Sequence, residues 1–218
     1  MSSARLPGKM MQNIGDKKVI DLVVEKIIRA GVKKENILLL ISVEESDDVL
    51  AEWAERERLP FFRGPLEDVL RRFSSALELW PCEWVIRVTG DSPFCPSELI
   101  QLLVSMLDNA SVDFITTAYR RTLPIGANLE AMRSELVKDG ARNQAIKAVD
   151  RENVTGYWHK NIPAKGLLSI ELDKADLSSS SIAIDFPGDL IRARSGAHNA
   201  VLESIPWTQL RTKLILPA

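Results

Sequence analysis

The sequence predicts an α/β fold with a mostly parallel, doubly wound sheet and helices on both faces. Two observations carry this expectation. Over the first 118 residues, short apolar runs alternate with stretches of helical periodicity. Several of those runs stop at a Gly, Asp or Pro turn that then opens a helix.

The elements follow in order. Val19, Ile20, Val23, Val24, Ile27 and Ile28 recur at helical spacing and predict a helix over 16–30, ended by Gly31. Residues 36–42 form a short continuous apolar run, as expected of a strand buried on both faces of a parallel sheet. A helix over 45–58 carries Val49, Leu50 and Trp53 on one side. A brief strand at 60–63 leads to Pro65, a favoured first residue for the next helix. Residues 84–88 make another strand, closed by Thr89-Gly90-Asp91-Ser92-Pro93. Pro96 starts a helix bearing Leu99, Leu102, Leu103 and Leu107, and 112–116 is a fourth strand. The second half is less regular. Strands are expected at 127–132, 167–172 and 182–184, and helices at 134–148, 151–159 and 189–202, with the serines at 178–181 as a linker.

The 218 residues suit one domain, and 45% hydrophobic with 27% charged residues is ordinary for a globular protein. A net charge of −2 gives no electrostatic reason to expect nucleic acid or an anionic membrane as partner. Cys82 and Cys95 stand alone, which argues against zinc and against a disulfide framework. No apolar run is long enough to span a bilayer, and no signal peptide is evident, so a cytoplasmic protein is expected. There is no GxGxxG, GxxxxGK[ST] or GxSxG. His159 and His198 are the only histidines and read as surface or core residues.

Four stretches suggest chemistry. In Arg5-Leu6-Pro7-Gly8-Lys9, two cations flank a stiff proline and a glycine that lets backbone approach a ligand. That suits a polyphosphate, although from this segment alone a basic N-terminal tail is the readier reading. Asp91 follows a strand at the sheet edge where ligands bind in open α/β folds. A carboxylate there suits Mg²⁺, or simply stabilises the turn. Asp185 repeats the grammar of strand, Asp and turn proline, with a helix cap as its alternative. Arg63 and Gly64 end a strand, and Asp68 is expected in the first turn of the following helix, where its charge suits the helix dipole.

These pieces occur together, in order, in one family. The chain resembles cytidylyltransferases of the spore-coat polysaccharide biosynthesis type, relatives of acylneuraminate cytidylyltransferase. The matching stretches are residues 3–9, 62–70, 85–93, 124–126, 150–155 and 184–190. The resemblance implies a Rossmann-like nucleotidyltransferase fold over 1–218, with 119–181 as a less regular sugar-binding part. It implies transfer of CMP from CTP to a nonulosonic-acid-like sugar with release of pyrophosphate. By matching positions, Arg5, Gly8 and Lys9 would hold the triphosphate, and Arg63 and Asp68 would lie near the nucleotide. Asp91 and Asp185 would bind Mg²⁺, Lys9 and Asp91 would be catalytic, and Glu130, Arg151 and Glu152 would face the sugar.

The chain also departs from the family pattern. The family begins with an apolar strand and Gln-Ala-Arg, whereas Met1 here falls past that strand, so the expectation is a sheet lacking its first, central strand. Asn128-Leu129-Glu130 stands where the family tends to have Asp-Val-Glu, and Asp150-Arg151-Glu152-Asn153 where it tends to have Glu-Arg-Glu-His. Either the acceptor differs or sugar transfer is lost, which leaves a nucleotide-binding homologue or a transferase for another nucleotide as alternatives. Relatives of this type often pair as dimers, so a homodimer is an expectation here. Trp80, Trp84 and Trp207 would serve an interface or the core equally well.

Overall fold

The computed structural model describes residues 5–217; Ser3 and Ala4 of the first matching stretch lie outside them. A two-residue hairpin, β1 (Asn13–Ile14) and β2 (Lys17–Lys18), precedes α1 (Val19–Arg29). The Lys18 N–H donates to Asp21 Oδ2 at 2.7 Å, which caps the helix, and Gly31 takes φ 91° just beyond its end. Next come β3 (Leu39–Ser42), α2 (Asp48–Arg56) and β4 (Phe61–Gly64). β3 and β4 pair in parallel as a sheet of their own. Ile20 of α1 and Trp53 and Ala54 of α2 cover it with Ile37 and Leu59. Trp53 Nε1 donates to Asp21 Oδ1 at 2.8 Å, so the indole's polar end is satisfied while its rings are buried.

The chain continues through α3 (Val69–Leu79), β5 (Trp84–Val88), α4 (Ser97–Leu107), β6 (Phe114–Thr116) and β7 (Leu129–Arg133). α5 (Ser134–Arg142), α6 (Ala148–Asn153), α7 (Gly156–Lys160), β8 (Leu167–Leu172), α8 (Pro187–Arg194), α9 (His198–Glu203) and β9 (Leu210–Ile215) complete it. The second sheet has the order β5-β7-β6-β8-β9. Alternation along its strands sends side chains to two cores. Ile115, Leu129, Ala131 and Ile170 meet Leu99, Ile100 and Leu103 of α4 and Leu190 of α8 on one face. Phe114, Met132 and Leu167 meet Leu70 of α3, Val137 of α5 and Trp158 of α7 on the other. Helices thus cover both faces, as the alternating pattern predicts.

Strand direction differs from the expectation. β3–β4 and β6–β8 are parallel, but β7 runs antiparallel to both β5 and β6, and β9 antiparallel to β8. A strand buried on both sides carries the same apolar residues whichever way it runs, so composition does not reveal direction. Among the described residues, β3 pairs only with β4, and β5 only with β7.

Other boundaries move for local reasons. The helix after Pro65 starts four residues later, because Asp68 is its N-cap and accepts from Arg71 N–H at 2.9 Å. The helix expected over 134–148 ends at Arg142. The one expected over 151–159 is two helices, α6 and α7, broken at Val154 with φ 65°, a strained value for a β-branched residue. The one over 189–202 breaks at Gly196, with φ 77°. Residues 182–184 are no strand; beside the isolated bridge between Ile125 and Ser181, Ile182 N–H donates to Ile125 O and Ile184 N–H to Asp91 O, both at 2.8 Å. β9 was not expected, and its four central residues are exposed, as befits a sheet edge. Trp84 and Trp207 pack on the core, and Arg133 lies over the Trp84 ring at 4.3 Å. Trp80 is exposed and meets Phe62 edge-on.

Gly126 is the point at which the Asp185 segment is held close. It has φ 98°, and a Cβ there would lie 2.7 Å from the Ala183 nitrogen. Gly126→Ala should therefore cost about 1–3 kcal/mol, read as a lower urea midpoint with unchanged slope; an unaltered midpoint would show that this packing is not needed.

Candidate active site

Three segments far apart in sequence converge. The first is the 5–8 loop and the 3-10 turn Lys9–Met11 that it feeds. Gly8 caps that turn in the left-handed region, φ 70°, which favours glycine. The second is the turn after β5, where Ser92 N–H donates to Thr89 O at 3.1 Å and the Thr89 and Ser92 hydroxyls lie 2.8 Å apart. Gly90 lets these two segments touch, since a Cβ there would stand 2.3 Å from Met10 Cε. The third is the run into α8. Asp189 Oδ2 accepts from the N–H groups of Asp185 and Phe186 at 2.8 and 2.7 Å, which fixes the turn that presents Asp185. Ile184 N–H donates to Asp91 O at 2.8 Å and ties the third segment to the second.

Lys9 sits where they meet. Its Nζ donates to Asp91 Oδ2 at 2.9 Å and to Asp185 Oδ1 at 2.8 Å, and its side chain is only 13% exposed. Arg5, more open, places Nη2 3.1 Å from the same Asp185 oxygen and its guanidinium over the Phe186 ring. Burial disfavours the charge on Lys9, but Asp91 and Asp185 outweigh it and hold the ammonium above its ordinary pKa. Asp91 likewise feels burial first, yet Lys9 and the Thr89 and Ser92 hydroxyls pull its carboxyl below the ordinary value. The sequence thus placed Arg5, Gly8, Lys9, Asp91 and Asp185 in one locus, and the structure brings them together. Among the described residues no group of three or more His, Cys, Asp and Glu gathers as a metal site. Two carboxylates converging on one small cation fit Mg²⁺, which keeps several waters and takes one or two protein carboxylates.

The other predicted residues lie elsewhere or are already engaged. Arg63 donates to the carbonyls of Ser42 and Glu44 at 3.0 and 2.9 Å and pairs with Asp48 at 2.7 Å, which ties the end of β4 to the loop after β3. Asp68 and Arg151 meet each other. The Arg151 Nε and Nη2 lie 2.9 and 2.8 Å from Asp68 Oδ2, and the same guanidinium donates to Ala141 O and Asn143 O. This links the start of α3 to α5 and α6. Glu152 is exposed on α6.

Glu130 is buried on β7, where strand register sets it beside Arg87 of β5. Arg87 Nη1 donates to Glu130 Oε2 at 2.9 Å. His159 of α7 brings Nε2 to 3.5 Å from the other oxygen and stacks on Phe114. Burial pushes the His159 pKa down, so its ring favours the neutral form. Sequence reasoning missed Arg87 and His159. Arg87 is 43 positions from Glu130, and only the antiparallel register reveals the pair.

Comparisons with known proteins identify the family and the fold. The sequence model of the family described as cytidylyltransferase matches residues 1–181. The spore coat polysaccharide biosynthesis protein SpsF of Bacillus subtilis (strain 168) is 30% identical over 167 residues, covering 75% of this chain and 68% of that protein. The 3-deoxy-manno-octulosonate cytidylyltransferase of Bdellovibrio bacteriovorus is 27% identical over 148 residues, covering 66% of this chain and 56% of that protein. In structure, a cytidylyltransferase from Leptospira borgpetersenii serovar Hardjo-bovis superposes with a TM-score of 0.83 at 24% identity, over 95% of this chain and 91% of that one. That likeness supports the fold.

The ion-pair cluster predicts a pH signature. Asp91, with its pKa depressed, contributes stability that is present above the ordinary 3.8 and lost as pH falls through its lower native value. Lys9, with its pKa raised, contributes stability that is present below the ordinary 10.5 and lost as pH rises through its higher native value. Thermal melts across acid and alkaline pH should show a flatter profile for the double variant Lys9→Met, Asp91→Asn than for the wild type. Superimposable profiles would contradict the pairing.

Proposed function

The chain belongs to the cytidylyltransferase family of nucleotidyltransferases, and on that premise we propose that it transfers CMP from CTP to a hydroxyl of a nonulosonic-acid-like sugar, releasing pyrophosphate. The observation that carries this reading is Lys9 held between Asp91 and Asp185, with Arg5 beside them. Cations and paired carboxylates at the C-terminal end of a sheet strand suit a polyphosphate and its counter-ion.

In the reaction, the sugar oxygen attacks the α-phosphorus, a new P–O bond forms, and the bond to the β-phosphate oxygen breaks with its electrons leaving on pyrophosphate. The hydroxyl proton passes to solvent or to a nearby base. Lys9 and Arg5 are placed to donate to phosphate oxygens as charge shifts toward the leaving group. Gly8, free of a Cβ, leaves room for phosphate against the backbone. Asp91 and Asp185 would hold Mg²⁺, which when bound neutralises phosphate charge and fixes the triphosphate for in-line displacement. No histidine is needed in this scheme, and none lies within the Lys9 cluster.

We assign the acceptor to the polar end of the second core, where Glu130 is held by Arg87 and faces His159. Arg87 lies on β5, the strand whose following turn carries Asp91, which supports placing the acceptor there. Arg63 and the Asp68–Arg151 pair then shape the loops around the nucleotide rather than touch it. No helix among the described residues is long and apolar enough to cross a membrane. Use of a nucleoside triphosphate fits a cytoplasmic enzyme.

Pyrophosphate release from CTP, measured with Mg²⁺ and a panel of nonulosonic acids, tests the proposal; no release with any sugar would sink it. Asp91→Ala should lower turnover by at least about 10³-fold while far-UV circular dichroism stays unchanged. Lys9→Ala should mainly raise KM for CTP, by about 10- to 100-fold. Glu130→Gln should raise KM for the sugar and leave KM for CTP within about twofold. Equal rises in both would move Glu130 out of the acceptor site.

A further inference from the structure

We propose that Lys9 is the resident counter-ion of the two carboxylates and must leave them for a divalent cation to be held there, so that nucleotide and metal bind with strong positive coupling. The inference rests on reading Asp91 and Asp185 as the cation-holding pair.

The geometry is specific. A single ammonium lies within hydrogen-bond distance of both carboxylates, at 2.9 and 2.8 Å, through Asp91 Oδ2 and Asp185 Oδ1. Asp185 Oδ1 also takes Arg5 at 3.1 Å. Two cations therefore balance two carboxylates, and the cluster is neutral as it stands. A divalent ion bound by the same oxygens needs them at about 2.1 Å, in the space that Nζ fills. Lys9 and the metal cannot both have these oxygens at full strength, because two cations would then stand within a few ångströms of each other in a half-buried site.

A polyphosphate would give Lys9 somewhere else to go. Its four-carbon stem and rotatable donors let Nζ swing without moving backbone. The turn that carries it is fixed by Met11 N–H donating to Gly8 O at 2.9 Å and by Met10 packed against Gly90. Arg5 is 57% exposed and just as free to turn. Triphosphate oxygens offer both side chains new acceptors, and their departure frees Asp91 and Asp185. By linkage, whatever the nucleotide adds to metal affinity, the metal adds to nucleotide affinity. In the nucleotide's absence, Lys9 guards the carboxylates against adventitious divalent ions.

Mn²⁺ binding, followed by the electron paramagnetic resonance signal of the free ion, tests this on the full chain without any acceptor sugar. Wild type should bind Mn²⁺ weakly alone and, once the Mn²⁺ held by CTP itself in a protein-free control is subtracted, at least about tenfold more tightly with CTP, within the usual range of coupling between sites. Lys9→Met should tighten binding of Mn²⁺ alone by about tenfold and shrink the effect of CTP. Lys9→Gln, which keeps a neutral donor, should do the same and serves if the methionine variant fails to fold. Asp91→Asn added to either should abolish the gain. Unchanged or weaker Mn²⁺ binding in folded Lys9 variants overturns the proposal alone. Mn²⁺ bound by no variant, with or without CTP, or bound regardless of Asp91, overturns the proposal together with the reading of the carboxylates.

Discussion

The arrangement depends on one unfavourable fact: two aspartates are brought close together at the edge of a sheet. Asp91 and Asp185 arrive from segments 82 and 176 positions away from Lys9, and each is held by its own backbone turn. Without a cation between them, like charges in a partly buried site would repel. Lys9 supplies that cation, and the rest of the local structure exists to aim it. Gly8 turns the chain into the 3-10 turn, Gly90 admits Met10, and Asp189 fixes the approach of Asp185. The two carboxylates are thus balanced through a long, rotatable side chain rather than through fixed backbone.

The two cores explain why this edge is rigid enough to matter. The central strands β6 and β7 are buried on both faces, and they set the positions of Thr116, Glu130 and, through register, Arg87. Asp91 stands on the turn just beyond β5 and Asp185 on the run into α8, while Arg87 and Glu130 stand on the strands themselves. Helices α3, α5 and α6 are tied by the Asp68–Arg151 pair, whose partly buried, charge-assisted contacts are stronger than those of exposed surface pairs. The resemblance implies ligand contacts for these two residues, and in the structure they pair with each other.

Much of this was legible in the sequence, and its limits have physical causes. The runs at Trp84–Val88 and Leu167–Leu172 are apolar and bounded by turn residues, and both are strands over those same residues. Arg5, Lys9, Asp91 and Asp185 were singled out together only through the family resemblance, and the structure brings these four side chains into contact. Residues 182–184 look like a strand but find only one bridge, since pairing depends on a neighbour that sequence does not supply. The strand Leu210–Ile215 hides because an exposed edge carries Arg, Thr and Lys. Arg87 and His159 were invisible for the same reason that strand direction was: both follow from register and packing between distant segments.

The most direct test is a crystal structure of the chain soaked with CTP and Mn²⁺, read by anomalous scattering. The account predicts an anomalous peak between Asp91 and Asp185, with Lys9 Nζ moved off both carboxylates and onto phosphate oxygens. A peak elsewhere, or Lys9 still bridging the two aspartates with nucleotide bound, would contradict it.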